Sequence, residues 1–98
     1  MARKTYQNTD GTSFLGITIR TSVEQLTNAF GDPSMEYNTG EDKVNFEWEM
    51  ETEEGEVFTI YDWKEYRPLR ESEIITWHIG ARSKSICNIA EEEILKEL

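Results

Sequence analysis

An α+β domain is what this sequence predicts: an antiparallel sheet of about four strands, in the order β-α-β-β-β-α, with two helices packed on one face. Three observations carry that expectation. Residues 44–50, VNFEWEM, alternate apolar and polar side chains with the two-residue period of a half-buried strand. The chain then turns at Glu53-Glu54-Gly55 and returns as VFTIYDW, which makes a hairpin. Two amphipathic helical stretches flank the remaining strands, and two helices can cover only one face of such a sheet.

Each element follows from local chemistry. Residues 1–11 form a polar N-terminal arm, expected to be mobile, that ends in the turn pair Asp10-Gly11; residues 12–98 form a single domain. Residues 13–20, SFLGITIR, read as the first strand on β-branched Ile17, Thr18 and Ile19. In TSVEQLTNAFGDP, Ser22 is the N-cap, Gln25 completes a capping box, and Val23, Leu26 and Phe30 share one face. Gly31 and Pro33 close that helix. MEYNTGEDK is a polar loop. In the strand after it, Val44, Phe46, Trp48 and Met50 take one face, and Asn45, Glu47 and Glu49 the other. A three-residue loop with Gly55 in the left-handed region pairs Met50 with Phe58 and Trp48 with Ile60. A slip of one residue would turn Phe58 and Ile60 onto the glutamate face. The chosen register buries Phe46, Trp48, Met50, Phe58 and Ile60 and puts Tyr61 and Trp63 on the opposite side.

Residues 64–73, interrupted by Pro68, are a long charged excursion. IITWHI resumes as a strand, with Ile75, Trp77 and Ile79 on one face, Ile74, Thr76 and His78 on the other, and Gly80 as its end. From Ser83 or Ser85 a last helix carries the ladder Ile86, Ala90, Ile94 and Leu98, with Cys87 beside it.

Composition bounds function. Ninety-eight residues make one small domain. Twenty acidic residues against 10 basic ones give a net charge of -10, which opposes broad contact with nucleic acid or anionic lipid. A lone cysteine permits no intrachain disulfide and fits a reducing compartment. The basic start MARK is followed by TYQNTDGTS rather than an apolar run, and FLGITI is too short to span a bilayer, so neither a secretion signal nor a membrane helix is expected. The expected location is the cytoplasm.

Catalytic patterns are absent: there is one histidine, no G-x-S-x-G, no phosphate loop and no H-E-x-x-H. Cys87 lies on the apolar side of its helix, where a thiol acts as a small hydrophobe. One histidine makes no zinc site, and EWEMETEEGE lacks the ligand spacing of a calcium loop. No catalysis, metal or cofactor is expected.

Two constellations remain. Five of the ten basic residues fall within 64–84, against three acids. Lys64, Arg67 and Arg70 lie beside Trp63 and Tyr66; the next strand delivers His78; Gly80, Arg82, Ser83 and Lys84 lead into a helix, whose free N–H groups suit a phosphate. Rings and guanidinium planes beside them suit a base. The expected ligand site is therefore Trp63, Lys64, Tyr66, Arg67, His78, Gly80, Arg82, Ser83 and Lys84, around a small nucleotide-like anion. Its bland counterpart is that the arginines pair with the abundant glutamates. The second constellation is the acidic strand face, Glu47, Glu49 and Glu51, which could imitate a phosphate backbone toward a basic protein partner, or simply solvate an exposed strand.

FGDP, KVNFEWEM, VFTIYDWKEY and ITWHIGARSK together resemble a family of small uncharacterised proteins from tailed bacteriophages, over nearly the whole domain from about Gly11. The most specific parts are I-Y-x-W-K and W-H-I-G, carried by Ile60, Tyr61, Trp63, Lys64, Trp77, His78, Ile79 and Gly80. Where that family places a second glycine, this chain has Ala81. The resemblance implies a phage accessory protein in the host cytoplasm and brings no established activity; small phage proteins of this size often antagonise host defence, which is the role expected here. The expectation is non-catalytic sequestration of a nucleotide-like ligand, with the alternative a protein-binding inhibitor working through the acidic strand. Sequestration favours a homo-oligomer, and the face carrying Tyr61, Trp63, Ile74 and His78 is its natural contact surface.

Overall fold

The computed structural model describes all residues 1–98. Its elements are β1 (Arg3–Lys4), β2 (Ser13–Thr21), α1 (Val23–Phe30), β3 (Met35–Glu36), β4 (Phe46–Glu51), β5 (Val57–Tyr61), β6 (Ile75–Ala81) and α2 (Lys84–Glu97). The sheet is open and antiparallel, in the order β1-β4-β5-β6-β2, with β3 also pairing with β4. The α+β class stands, but six strands replace the expected four. Both additions are two-residue strands on the outer edge of β4, at Glu51/Met50 and at Glu47/Phe46. Strands this short give no periodicity to read.

The arm is therefore better anchored than its polarity suggests. Ala2 and Thr5 are buried, and Thr5 N–H donates to the Glu49 carbonyl. The hairpin has the expected register, Met50 opposite Phe58 and Trp48 opposite Ile60. Thr52 N–H donates to the Glu56 carbonyl across the three-residue turn, and Gly55 has φ 86°. A residue with a Cβ at that position would be strained.

One core cluster lies on one face of the sheet and includes Trp48, Trp77, Met50, Phe58, Ile60 and Ile79, with Val23, Leu26 and Phe30 from α1 and Cys87, Ala90 and Ile94 from α2. Trp48 and Trp77 meet edge to face, and each buried indole N–H finds a carbonyl, Gly31 and Thr21 respectively. Ser22 caps α1 and Ser83 caps α2. The capping box is only half made. Gln25 N–H donates to Ser22 Oγ, whereas the Gln25 side chain accepts from Thr21. β6 runs one residue past Gly80, to the buried Ala81, and Leu98 stays exposed. No helix is long and apolar enough to cross a membrane.

Candidate functional site

The second sheet face is the place to look. By strand alternation it receives Glu47, Glu49 and Glu51 from β4, Thr59 and Tyr61 from β5, His78 and Gly80 from β6, and Phe14 and Thr18 from β2. At the Glu51 end, residues 5–12 cross this face from one sheet edge to the other. Thr9 donates to Glu49, Gln7 and Arg3 donate to Glu51, and Arg82 donates to the Asn8 and Asp10 carbonyls.

At the Glu47 end the face is bare. The Phe14 ring stacks on His78 at 3.9 Å between centroids, Trp63 lies roughly parallel to His78 at 6.1 Å, and Tyr61 meets both edge to face. Lys43 and Lys64 hold their ammonium groups 5.9 and 5.6 Å from the centre of the Trp63 ring. Trp63, 40% exposed, forms one wall of an open groove of about 400 Å³ completed by Met35, Tyr37, Asp42, Lys43, Val44 and Glu47. Burial holds His78 below its ordinary histidine value. Burial, and then the neighbouring Glu49, push the Glu47 carboxyl up, and burial followed by Glu47 raises Tyr61.

Two loops build this groove, and buried hydrogen bonds lock them together. The buried Asp62 carboxylate accepts from the Asn45 N–H, the Asn45 amide and the Phe46 N–H at 2.8–3.0 Å. Asn45 in turn accepts from Gly40 N–H and donates to the Arg67 carbonyl. Asn38 exchanges two bonds with the Leu69 backbone, and Lys64 N–H donates to the Lys43 carbonyl. A Cβ on Gly40 would sit 2.5 Å from the Arg67 Cα, so only glycine allows this approach. Lys64 and Tyr66 both have positive φ, 56° and 51°, backbone that L-residues seldom adopt and that the cross-links must hold. Asn45 is thus buried between the loops rather than on the glutamate face where alternation placed it.

The expected ligand cluster is divided. Trp63, Lys64 and His78 come together at the bare end. Gly80 is buried and paired on both sides, with Thr59 and Phe14, and serves as the floor under Tyr61: a Cβ there would lie 2.7 Å from Thr59 Oγ1 and 3.4 Å from the Tyr61 ring. Arg67 grips the Glu73 carboxylate with both terminal guanidinium nitrogens, and that pairing, followed by the charges of Glu73 and Glu65, holds it above its ordinary value. Arg82 ties down the arm, Lys84 donates to the Leu15 carbonyl, and Ser83 caps α2. Tyr66 stays exposed on the loop. Lys64, Arg67 and Arg82 therefore do not share one site within a chain. Register explains the split: Phe58 pairs with Ala81 and Tyr61 with His78, so Arg82 and Lys64 leave the sheet at opposite ends. Across β5 alone that separation is at least roughly 13 Å.

Lys43, Tyr37 and Glu47 complete the groove without having been expected there. Register could have signalled the lysine, since extending the Trp48–Ile60 pairing past Tyr61 brings residues 44–45 beside 63–64, with Lys43 next in line. Cys87 lies in the core beneath the sheet while His78 is on the open face, so they cannot act as nucleophile and base. No family model, curated protein or solved structure matches this chain.

Proposed function

We propose that this chain binds a small phosphorylated, nucleotide-like ligand at the Trp63 groove, without turning it over. One observation carries the reading: in a chain of net charge -10, two ammonium groups lie within 5.9 Å of the centre of one exposed indole at the wall of a groove. An indole supplies a stacking surface for a base, and flexible lysines supply point charges for phosphate oxygens. The cross-linked loops hold both before a ligand arrives, which lowers the ordering cost of binding. The role we propose is sequestration of a host-defence signal in the host cytoplasm, in keeping with what small phage proteins of this size often do, and the bare aromatic surface suits a second copy of the chain.

The acidic-strand alternative has less support. Glu49 and Glu51 are half-buried and bonded to the chain's own Thr9, Gln7 and Arg3, so little of that row is free to imitate a phosphate backbone.

Isothermal titration against mono-, di- and cyclic nucleotides tests the proposal, with native mass spectrometry reporting assembly. Each charge-assisted bond contributes about 1.5–3 kcal/mol, so reversing Lys43 and Lys64 to Glu is expected to weaken binding at least about tenfold. Trp63→Ala weakens it comparably through lost stacking. Heat-free titrations with every nucleotide would sink the reading.

A further inference from the structure

The three glutamates of β4 are alike in sequence and burial, yet only one is unpartnered. Glu49 accepts from Thr9, and Glu51 from Arg3 and Gln7. Glu47 is half-buried, its carboxylate makes no hydrogen bond or ion pair within the chain, and it lines the groove with Trp63 and Tyr37. Its oxygens reach solvent and are free to accept from a ligand, and an ionised carboxylate can only accept. Of the two acids in the groove, Asp42 is exposed on the loop, whereas Glu47 is fixed on a strand paired with Tyr61. The lysines are exposed and the glutamate is the deeper group. In the pose proposed here the phosphate meets the lysines at the rim and the base points inward to Glu47.

We propose that Glu47 selects the base, and that the base is one with two adjacent N–H donors on its pairing edge, guanine being the common nucleotide base of that kind. This rests on the nucleotide reading above and narrows it. Guanine offers N1–H and N2–H side by side, matching the two oxygens of one carboxylate. Adenine offers its N6 amino group beside the N1 lone pair, and cytosine its N4 amino group beside the N3 lone pair. Either lone pair would face a carboxylate oxygen. Hypoxanthine keeps N1–H and lacks the N2 amine. A site built to accept from a donor pair rejects analogues lacking it far more strongly than shape alone could.

The test is calorimetric titration with GMP, IMP and AMP at one pH and salt, on the wild type, Glu47→Gln and Glu49→Gln. The expected order is GMP, then IMP, then AMP, with at least a tenfold span from first to last. Glu47→Gln replaces one acceptor oxygen by a donor, so the span collapses to within about threefold while AMP affinity holds or rises. Glu49→Gln, altering a glutamate already held by Thr9, leaves the order intact. Circular dichroism and melting curves confirm that each variant is folded. Equal wild-type affinity for GMP and AMP overturns the inference and leaves the nucleotide reading standing. A guanine preference that survives in Glu47→Gln overturns the assignment of Glu47. If no nucleotide binds at all, both fall together.

Discussion

At one end of the open sheet face, Glu49 and Glu51 are held by Thr9, Arg3 and Gln7, and Arg82 fastens the chain that crosses them. At the other end the Glu47 side chain has no partner, and two lysine ammonium groups approach the Trp63 ring at a groove. The same three strands supply both ends. The difference is made by what crosses them: a covering segment satisfies polar groups where it lies, and leaves them for a ligand where it does not. Burial under a chain's own arm thus marks structure, while half-burial without partners marks a candidate site.

The largest effect removes what both ends share. Trp48 is fully buried, packs against Trp77 and donates to the Gly31 carbonyl, so Trp48→Ala should destabilise the protein by about 3–5 kcal/mol in urea unfolding. Trp63→Ala, on the bare face, should change stability by less than about 1 kcal/mol. Equal losses would mean that the Trp63 ring is part of the fold and not a poised surface. Next in size is Asp62→Ala, which strands three buried N–H donors at the junction of the groove loops. Unsatisfied donors cost about 1–3 kcal/mol each, and relaxation recovers part, so a loss of about 3 kcal/mol is expected. Amide exchange should accelerate first in residues 37–45 and 63–70. Faster exchange in residues 5–12 instead would show that the two ends are coupled.

That division also sorts what was legible in the sequence. The hairpin register, the cap at Ser22 and the buried faces of β4, β5 and β6 follow from period and turn chemistry, which are local. Strands β1 and β3 were not legible, because two residues carry no period and their pairing depends on where distant chain returns. Lys43 escaped for the same reason: its loop meets the Trp63 loop through Asn45 and Asp62, a contact across 17 residues that composition does not announce. Charge density misled in a particular way. Lys64, Arg67 and Arg82 are near in sequence count, but a strand pair carries Lys64 and Arg82 to opposite ends of the sheet, and Arg67 turns to a glutamate six residues away.

Arg82 consequently belongs to the arm end, which can be broken alone. Arg82→Ala removes two bonds to exposed carbonyls and should cost about 1 kcal/mol, less than Trp48→Ala or Asp62→Ala. Hydrogen exchange in residues 6–12 should quicken, while nucleotide affinity at the groove stays within about twofold of wild type. A tenfold loss of affinity would reunite Arg82 with the site, most simply through a neighbouring copy of the chain.

The smallest effect separates the two ends by pH. At the arm end, hydrogen bonds from Thr5 and Gln7, followed by Arg3, hold the Glu51 carboxyl below its ordinary value. Its contribution is present above the unfolded value of about 4.3 and is lost as pH falls through the lower folded value. At the groove end burial lowers His78, so in the window below about 6.5 the unfolded chain binds more protons than the folded one. His78 therefore contributes stability at and above that pH, and loses it as pH falls through the folded value. Glu47, raised by burial and Glu49, works in the opposite sense just above the ordinary carboxyl range, so the measurement belongs in a Glu47→Gln background. Melting temperatures of that variant and of Glu47→Gln/His78→Gln, compared from pH 8 to pH 5, should converge or cross as pH falls, because only the former must protonate a ring stacked between Phe14 and Trp63. Parallel curves would show that the imidazole titrates alike in the folded and unfolded chain, and that the rings around it are open enough to solvate its charge.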